Sequence, residues 1–227
     1  MDKIKNYLID FAEGRVSVPD FLAYCESNPQ VLDFLTEIAA SSFKTVVVHK
    51  SVDEDGVPWY TPEELPFDAK LCIEENMKCG GTLGKYLNIH HQFSRVLISA
   101  FPEENITMDD TLGEKFSFML NACPEYIGGP DVDFLLEDLM ESLPENLSKT
   151  KKIKLYKERV KELFHIEPKK YPRWVQDPEW PLGEDGIPMK FIAQNRKKDG
   201  RYEACLFTEF IFEDIKTGKQ ITVEQFT

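Results

Sequence analysis

Apolar residues recur three and four positions apart along most of the chain, then give way to alternation near its end. Ile4, Tyr7, Leu8 and Phe11 share one helical face, and Gly14 follows as a stop. Ser17-Val18-Pro19-Asp20 restarts the chain, with Pro tolerated in a first turn, and Phe21, Leu22 and Cys25 continue the apolar face. Asn28-Pro29 breaks it again before Val31, Leu32, Leu35 and Ile38. Three short helices are predicted. Phe43 to His49 is β-branched and short, a strand pattern. Asp53-Glu54-Asp55-Gly56 reads as a turn, with Val57 to Tyr60 returning as a short edge, so a small hairpin is expected over 43–60. Pro58, Pro62 and Pro66 are expected to make the remainder of this region, up to residue 67, irregular.

The helical period returns from about Asp68 to Ile166. Leu83, Tyr86, Leu87, His90, Phe93 and Leu97 form one stripe, and Phe116, Met119, Leu120 and Cys123 a shorter one. Val132, Leu135, Leu136, Leu139, Met140 and Leu143 come next, stopped by Pro144. Ser148 is placed to cap a basic helix with Ile153, Tyr156, Val160 and Leu163 inward. Five prolines between Pro168 and Pro188 then exclude a continuous helix. Beyond them, Met189 to Asn195, Arg201 to Asp214 and Gln220 to Phe226 read as strands, separated by turns at 197–200 and 216–219. The fold class is α+β: a mainly helical domain over 1–166, and a Pro/Trp-rich segment plus a three-stranded antiparallel meander over 167–227. The meander needs helices to cover one face, because so small a sheet is marginal alone.

Charge narrows the range of partners. Lys149 to Arg173 holds ten Lys/Arg against three Glu, a local +7, while the rest carries 17 against 37, or −20. So acidic a surface repels phosphate backbones, which argues against general nucleic-acid binding and suits a basic protein partner. Five scattered cysteines point to reduced thiols and a cytoplasmic setting rather than a disulfide framework. The first residues lack the apolar run of a secretory signal, and no stretch reads as a membrane span.

Candidate chemistry is sparse. His90-His91 point about 100° apart on a helix and cannot share an ion, and Cys72 and Cys79 are spaced too widely for a zinc site. Ser51 to Gly56 has the start of a calcium loop, but its twelfth position is Pro62. Gly80 to Lys85 resembles a phosphate loop without its Ser/Thr ending, and reads instead as a helix restart. No metal or cofactor is expected, and no catalytic residue is assigned. The best functional candidates are aromatic: Tyr171, Trp174, Trp180 and Phe191, with Met189 and Gln194, carry the large contact areas of binding hot spots. Core packing is the competing role for the same cluster. Trp180 is expected to pin the meander, Trp174 to stand exposed, and Cys25 and Cys123 to be buried thiols.

The run Trp180-Pro181 … Gly186-Ile187-Pro188-Met189-Lys190-Phe191-Ile192-Ala193-Gln194 resembles a motif of the YwqG-like bacterial proteins, over about 15 of the 227 residues. The wider layout is similar to small proteins of Firmicutes, of a kind often found near toxin–immunity loci. That resemblance implies a bacterial origin and no defined activity. The expected function is a protein-binding module of a bacterial cytosolic protein, of the immunity type that inhibits a basic toxin. The alternatives are an enzyme with a Cys/His or carboxylate site, or a structural subunit of a larger assembly. The sequence leaves the oligomeric state open.

Overall fold

The computed structural model describes residues 2–52, 58–78, 80–129, 131–198 and 206–226. They are mixed helix and strand, and they divide into two compact units, 1–116 and 117–227. The division differs from the boundary expected at residue 166. The last two helices belong with the meander, because that sheet draws its covering residues from the segment around them.

The N-terminal unit begins with α1 (Asp2–Ala12), α2 (Val18–Ser27) and α3 (Gln30–Ile38), as the periodicity predicts. Ser17 caps α2: its Oγ accepts the Asp20 N–H at 3.2 Å. A hairpin comes next, β1 (Lys44–Val52) and β2 (Pro58–Pro66), then α4 (Ala69–Asn76) and the long α5 (Thr82–Ala100). Gly81 is the N-cap of α5, so the Gly80–Lys85 segment is a helix restart. The core of this unit joins Leu8, Phe11, Phe21, Leu35, Phe67, Ile89, Phe93 and Leu97, with Phe11 stacked on Phe21 at 4.1 Å between ring centroids.

One polar group is locked into that core. His90 is buried, and its Nε2 lies 3.1 Å from the Phe11 carbonyl oxygen. A carbonyl only accepts, so Nε2 carries the proton and Nδ1 is bare. Nδ1 is itself buried, with no hydrogen-bond partner among the described residues. Burial holds the His90 pKa below its ordinary 6.5, against the opposing pull of the Phe11 carbonyl and Asp109; the neighbouring His91 lowers it further. The unfolded chain therefore binds this proton more readily than the folded one. Stability is unaffected above about pH 6.5 and falls as pH drops below it toward the folded value. The urea midpoint should decline between pH 7 and pH 5.5, a range above most carboxylate titration. In His90→Gln, which keeps a donor for Phe11 but cannot titrate, that decline should shrink.

The helix α6 (Thr111–Ala122) carries the division between the units. The C-terminal unit continues with α7 (Asp133–Glu141) and α8 (Lys149–Leu163), then β3 (Lys190–Lys198), β4 (Leu206–Glu213) and β5 (Gln220–Phe226). The strands form one antiparallel sheet in the order β3-β4-β5. Ser148 precedes α8 as expected, but its side chain makes no capping bond. In β4, Thr208, Phe210 and Phe212 are buried and alternate with half-buried neighbours, as one covered face of a strand requires. The start of the predicted 201–214 strand, with Cys205, and half of the predicted 197–200 turn lie outside the described residues, as do Cys79, the 53–56 turn and Val57. No described helix is long and apolar enough to cross a membrane.

Candidate functional site

The aromatic cluster expected to bind a partner is, in the structure, mostly the core of the C-terminal unit. Trp180 is only 2% exposed. Its ring meets Phe164 and Phe212 edge-on, each at 5.2 Å, and its Nε1 donates to the Met189 carbonyl at 2.9 Å. Met189 and Phe191 are buried as well, Phe191 against Phe212. Trp174 corrects the expectation of an exposed anchor. It is half-buried, its ring lies 4.5 Å from Phe210, and its Nε1 donates to the Tyr126 carbonyl at 2.9 Å. Gln194 accepts the Arg173 N–H through Oε1 at 2.8 Å, a bond that holds the proline-rich approach to the edge of β3. Only Tyr171 faces solvent appreciably, and its ring stacks on Tyr126 at 4.4 Å. Three of the six residues are thus removed from any partner's reach.

A residue that sequence reasoning passed over completes this structure. Gln225 is fully buried in β5, yet both polar atoms of its amide are used. Oε1 accepts from Val175 and Gln176 N–H, both at 3.0 Å, and Nε2 donates to the Asp177 carbonyl at 2.8 Å. Such a bonded buried amide fixes one conformation of a segment that lacks regular structure.

Beside this sheet, a cavity of about 370 Å³ gathers His165, Asp185, Asp214 and Lys216 with Ile187, Pro188, Met189 and Ile215. Both carboxylates already serve turns. Asp214 Oδ1 accepts the Thr217 and Lys216 N–H groups at 3.1 and 2.8 Å, which holds its pKa below the usual range. Asp185 Oδ1 accepts the Ile187 N–H at 3.2 Å, and Oδ2 lies 3.8 Å from Lys216 Nζ. His165 is held below its ordinary pKa by burial and by Lys190.

The N-terminal unit offers a different surface. Residues expected to be irregular, 61–66, instead extend β2 to nine residues in full register with β1, from Lys44 opposite Pro66 to Val52 opposite Pro58. The prolines allow this because of their spacing. Alternate residues of an antiparallel strand turn their backbone groups away from the partner. Pro62, opposite Val48, has no N–H to give, so that pair must be one of the outward-turned set. The two-residue period puts Pro58 and Pro66 in the same set, and no ladder bond is lost.

One face of the hairpin is exposed and mixes apolar residues with charged ones, Lys44, Lys50 and Glu64 among them. Val46, Val48 and Tyr60 lie on one side of it, with Val48 49% and Tyr60 61% exposed. Trp59, on the other side, is 62% exposed. The valine side overlooks a cleft of about 400 Å³ whose far wall is α4 and α5: Cys72, Glu75, Asn76 and Gln92. That wall is polar but internally satisfied. Cys72 Sγ donates to Gln92 Oε1 at 2.6 Å, and Asn76 Nδ2 donates to the Cys72 carbonyl at 2.8 Å. Glu75 pairs with Lys78, and this pairing holds its pKa below the usual carboxylate range. Lys50 sits over the Tyr60 ring at 5.8 Å.

Burial pushes the Cys25, Cys72 and Cys123 thiols up to about 12. Cys25 and Cys72 are buried, while Cys123 is only half-buried, short of the expectation for it. In native protein at mildly alkaline pH, alkylation mapped by mass spectrometry should leave Cys25 and Cys72 unmodified and reach both in denaturant. Rapid native modification of either would contradict the packing described. No group of three or more His, Cys, Asp or Glu side chains placed to hold a metal occurs among the described residues.

Compared with protein-family models, with curated proteins and with solved structures, the chain has no match in any of the three. The YwqG-like resemblance therefore rests on residues 180–194 of the sequence alone, and there Trp180, Met189 and Phe191 are core residues.

Proposed function

We propose that this protein is a protein-binding module whose contact surface is the β1–β2 hairpin and the cleft beside it. The observation that carries this reading is the exposed row of Val46, Val48 and Tyr60 on a regular nine-residue hairpin. Monomeric surfaces rarely gather apolar side chains this way unless they meet something. The composition fits an interface centre. Valine and aromatic surface is presented, and Glu75 is neutralised locally by Lys78.

Net charge supports a basic partner. Residues 1–116 hold 10 Lys/Arg against 20 Asp/Glu, or −10, whereas residues 117–227 hold 17 against 20, or −3. The unit that bears the hairpin therefore carries most of the field that would steer a cationic protein toward it. A basic toxin held by an immunity-type inhibitor fits that description. Partners captured from the native host by wild-type protein should be lost by the triple variant Val46→Thr/Val48→Thr/Tyr60→Thr. Threonine is β-branched, which strands favour, and leaves the charge unchanged. Undiminished capture of the same partner by the variant would overturn the reading.

The enzyme alternative has one observation in its favour, the His165 cavity with its two carboxylates. Each carboxylate is already held by backbone N–H groups, so a turn-forming role accounts for both.

A further inference from the structure

Two sheets give four outer edges, and an open edge offers unpaired N–H and C=O groups to any strand that reaches it. Proteins blunt such edges with prolines, lysines, bulges or a covering element. Three of the four are blunted in these ways. β2 turns Pro58, Pro62 and Pro66 outward. β1 carries Lys44 and Lys50, and Thr45 ties its start to Asp68 at the head of α4: Oγ1 donates to the Asp68 carbonyl and accepts the Asp68 N–H. β3 has a register shift between Phe191 and Ala193, carries Lys190, Arg196, Lys197 and Lys198, and holds the Arg173 N–H on its Gln194.

The edge of β5 has none of these devices. Gln220 to Phe226 contains no Pro, Lys or Arg, and its register with β4 is uninterrupted. Which of its groups face outward follows from the turn before it. Asp214 N–H donates to the Lys219 carbonyl at 2.9 Å, so that pair is a hydrogen-bonded one. Alternation along the ladder then makes Gln220, Thr222, Glu224 and Phe226 the residues whose backbone groups turn away from β4. All four are exposed, and their N–H and C=O groups have no backbone partner among the described residues.

We propose that β5 is the contact between two copies of this chain, paired antiparallel about a two-fold axis at Val223. In that register Thr222 of each copy lies opposite Glu224 of the other, and Gln220 opposite Phe226, so every outward residue finds a partner. The strand's single charge, Glu224, then meets a hydroxyl that donates to it rather than a second carboxylate. A register two residues away in either direction sets Glu224 against Glu224 or Thr222 against Thr222, and leaves one outward residue of each strand without a partner. Phe226, 51% exposed in one copy, gains cover beside Gln220 and Thr222 of the other. The unit that makes this contact carries −3 against −10 for residues 1–116, so copies meeting through it repel least. The contact is independent of the hairpin interface and leaves β1 and β2 unused.

Sedimentation velocity of the full chain, taken through the micromolar range at near-physiological salt, tests the pairing. Wild type should sediment as a dimer that dissociates on dilution. Glu224→Pro removes an outward N–H that the β4 ladder does not use, as Pro62 does in β2, so it should keep the wild-type circular dichroism and sediment as a monomer. Two further variants read the register without touching the backbone. Thr222→Glu sets two pairs of carboxylates face to face and should weaken the dimer about tenfold, whereas Thr222→Lys sets two opposite-charge pairs and should tighten it about tenfold. A wild type that is monomeric throughout, or a dimer that folded Glu224→Pro leaves intact, overturns the proposal. So does a dimer of equal strength in Thr222→Glu and Thr222→Lys, and that comparison decides the matter alone if the proline variant fails to fold.

Discussion

Trp180→Ala is expected to cost the C-terminal unit about 3–5 kcal/mol, as truncation of a fully buried aromatic generally does. The indole is the hub of this core. It touches Phe164 at the end of α8, Trp174 in the proline-rich approach and Phe212 in β4, and its Nε1 caps the Met189 carbonyl at the start of β3. Removing it opens a cavity bordered by all three and leaves the Met189 carbonyl without its donor. A domain of ordinary stability has about 5–15 kcal/mol to lose, so the variant should melt far below wild type or fail to fold. Trp180→Phe keeps much of the ring and loses the hydrogen bond, and should cost less. Near-ultraviolet circular dichroism during a thermal melt reads both. A Trp180→Ala protein melting within a few degrees of wild type would contradict the packing.

The second large effect concerns binding. Truncating a residue at the centre of an interface commonly costs about 1 kcal/mol or more, and three such losses at Val46, Val48 and Tyr60 amount to about 3 kcal/mol. At about 1.4 kcal/mol per tenfold, that is a weakening on the order of 100-fold in Kd for the native partner. Stability should change little, since none of the three belongs to the buried core. Titration calorimetry with purified partner, beside a thermal melt of the variant, separates lost contacts from lost fold.

The same contrast explains what the sequence could and could not reveal. Helices and meander were legible because each buries one face, and burial imposes a period: Leu8 and Phe11 in α1, Phe210 and Phe212 in β4. The β2 strand was not. Its prolines look like breakers until the register shows all three on the outward-turned side, and register is a property of two strands rather than one. The unit boundary was hidden for a related reason. α7 and α8 have the same period as the earlier helices, and period does not say which core a helix joins.

For the site, the sequence pointed to the wrong aromatics. Large rings mark interfaces and cores alike, and Trp174, Trp180 and Phe191 are drawn inward because β4 offers Phe210 and Phe212 to pack against. The valines at 46 and 48 read as ordinary strand residues. Their exposure arises because the hairpin turns that face toward the cleft, with no third strand among the described residues to cover it. Gln225 carried no signal at all, since its three bonds reach a loop some fifty residues away.

Hydrogen–deuterium exchange of the protein with and without its native partner tests the hairpin interface most directly. Complex formation should slow exchange in 44–52, 58–66 and 69–76, and leave the 171–194 segment unchanged. Protection confined to 171–194, with the hairpin unaffected, would contradict the assignment of the binding surface to β1 and β2.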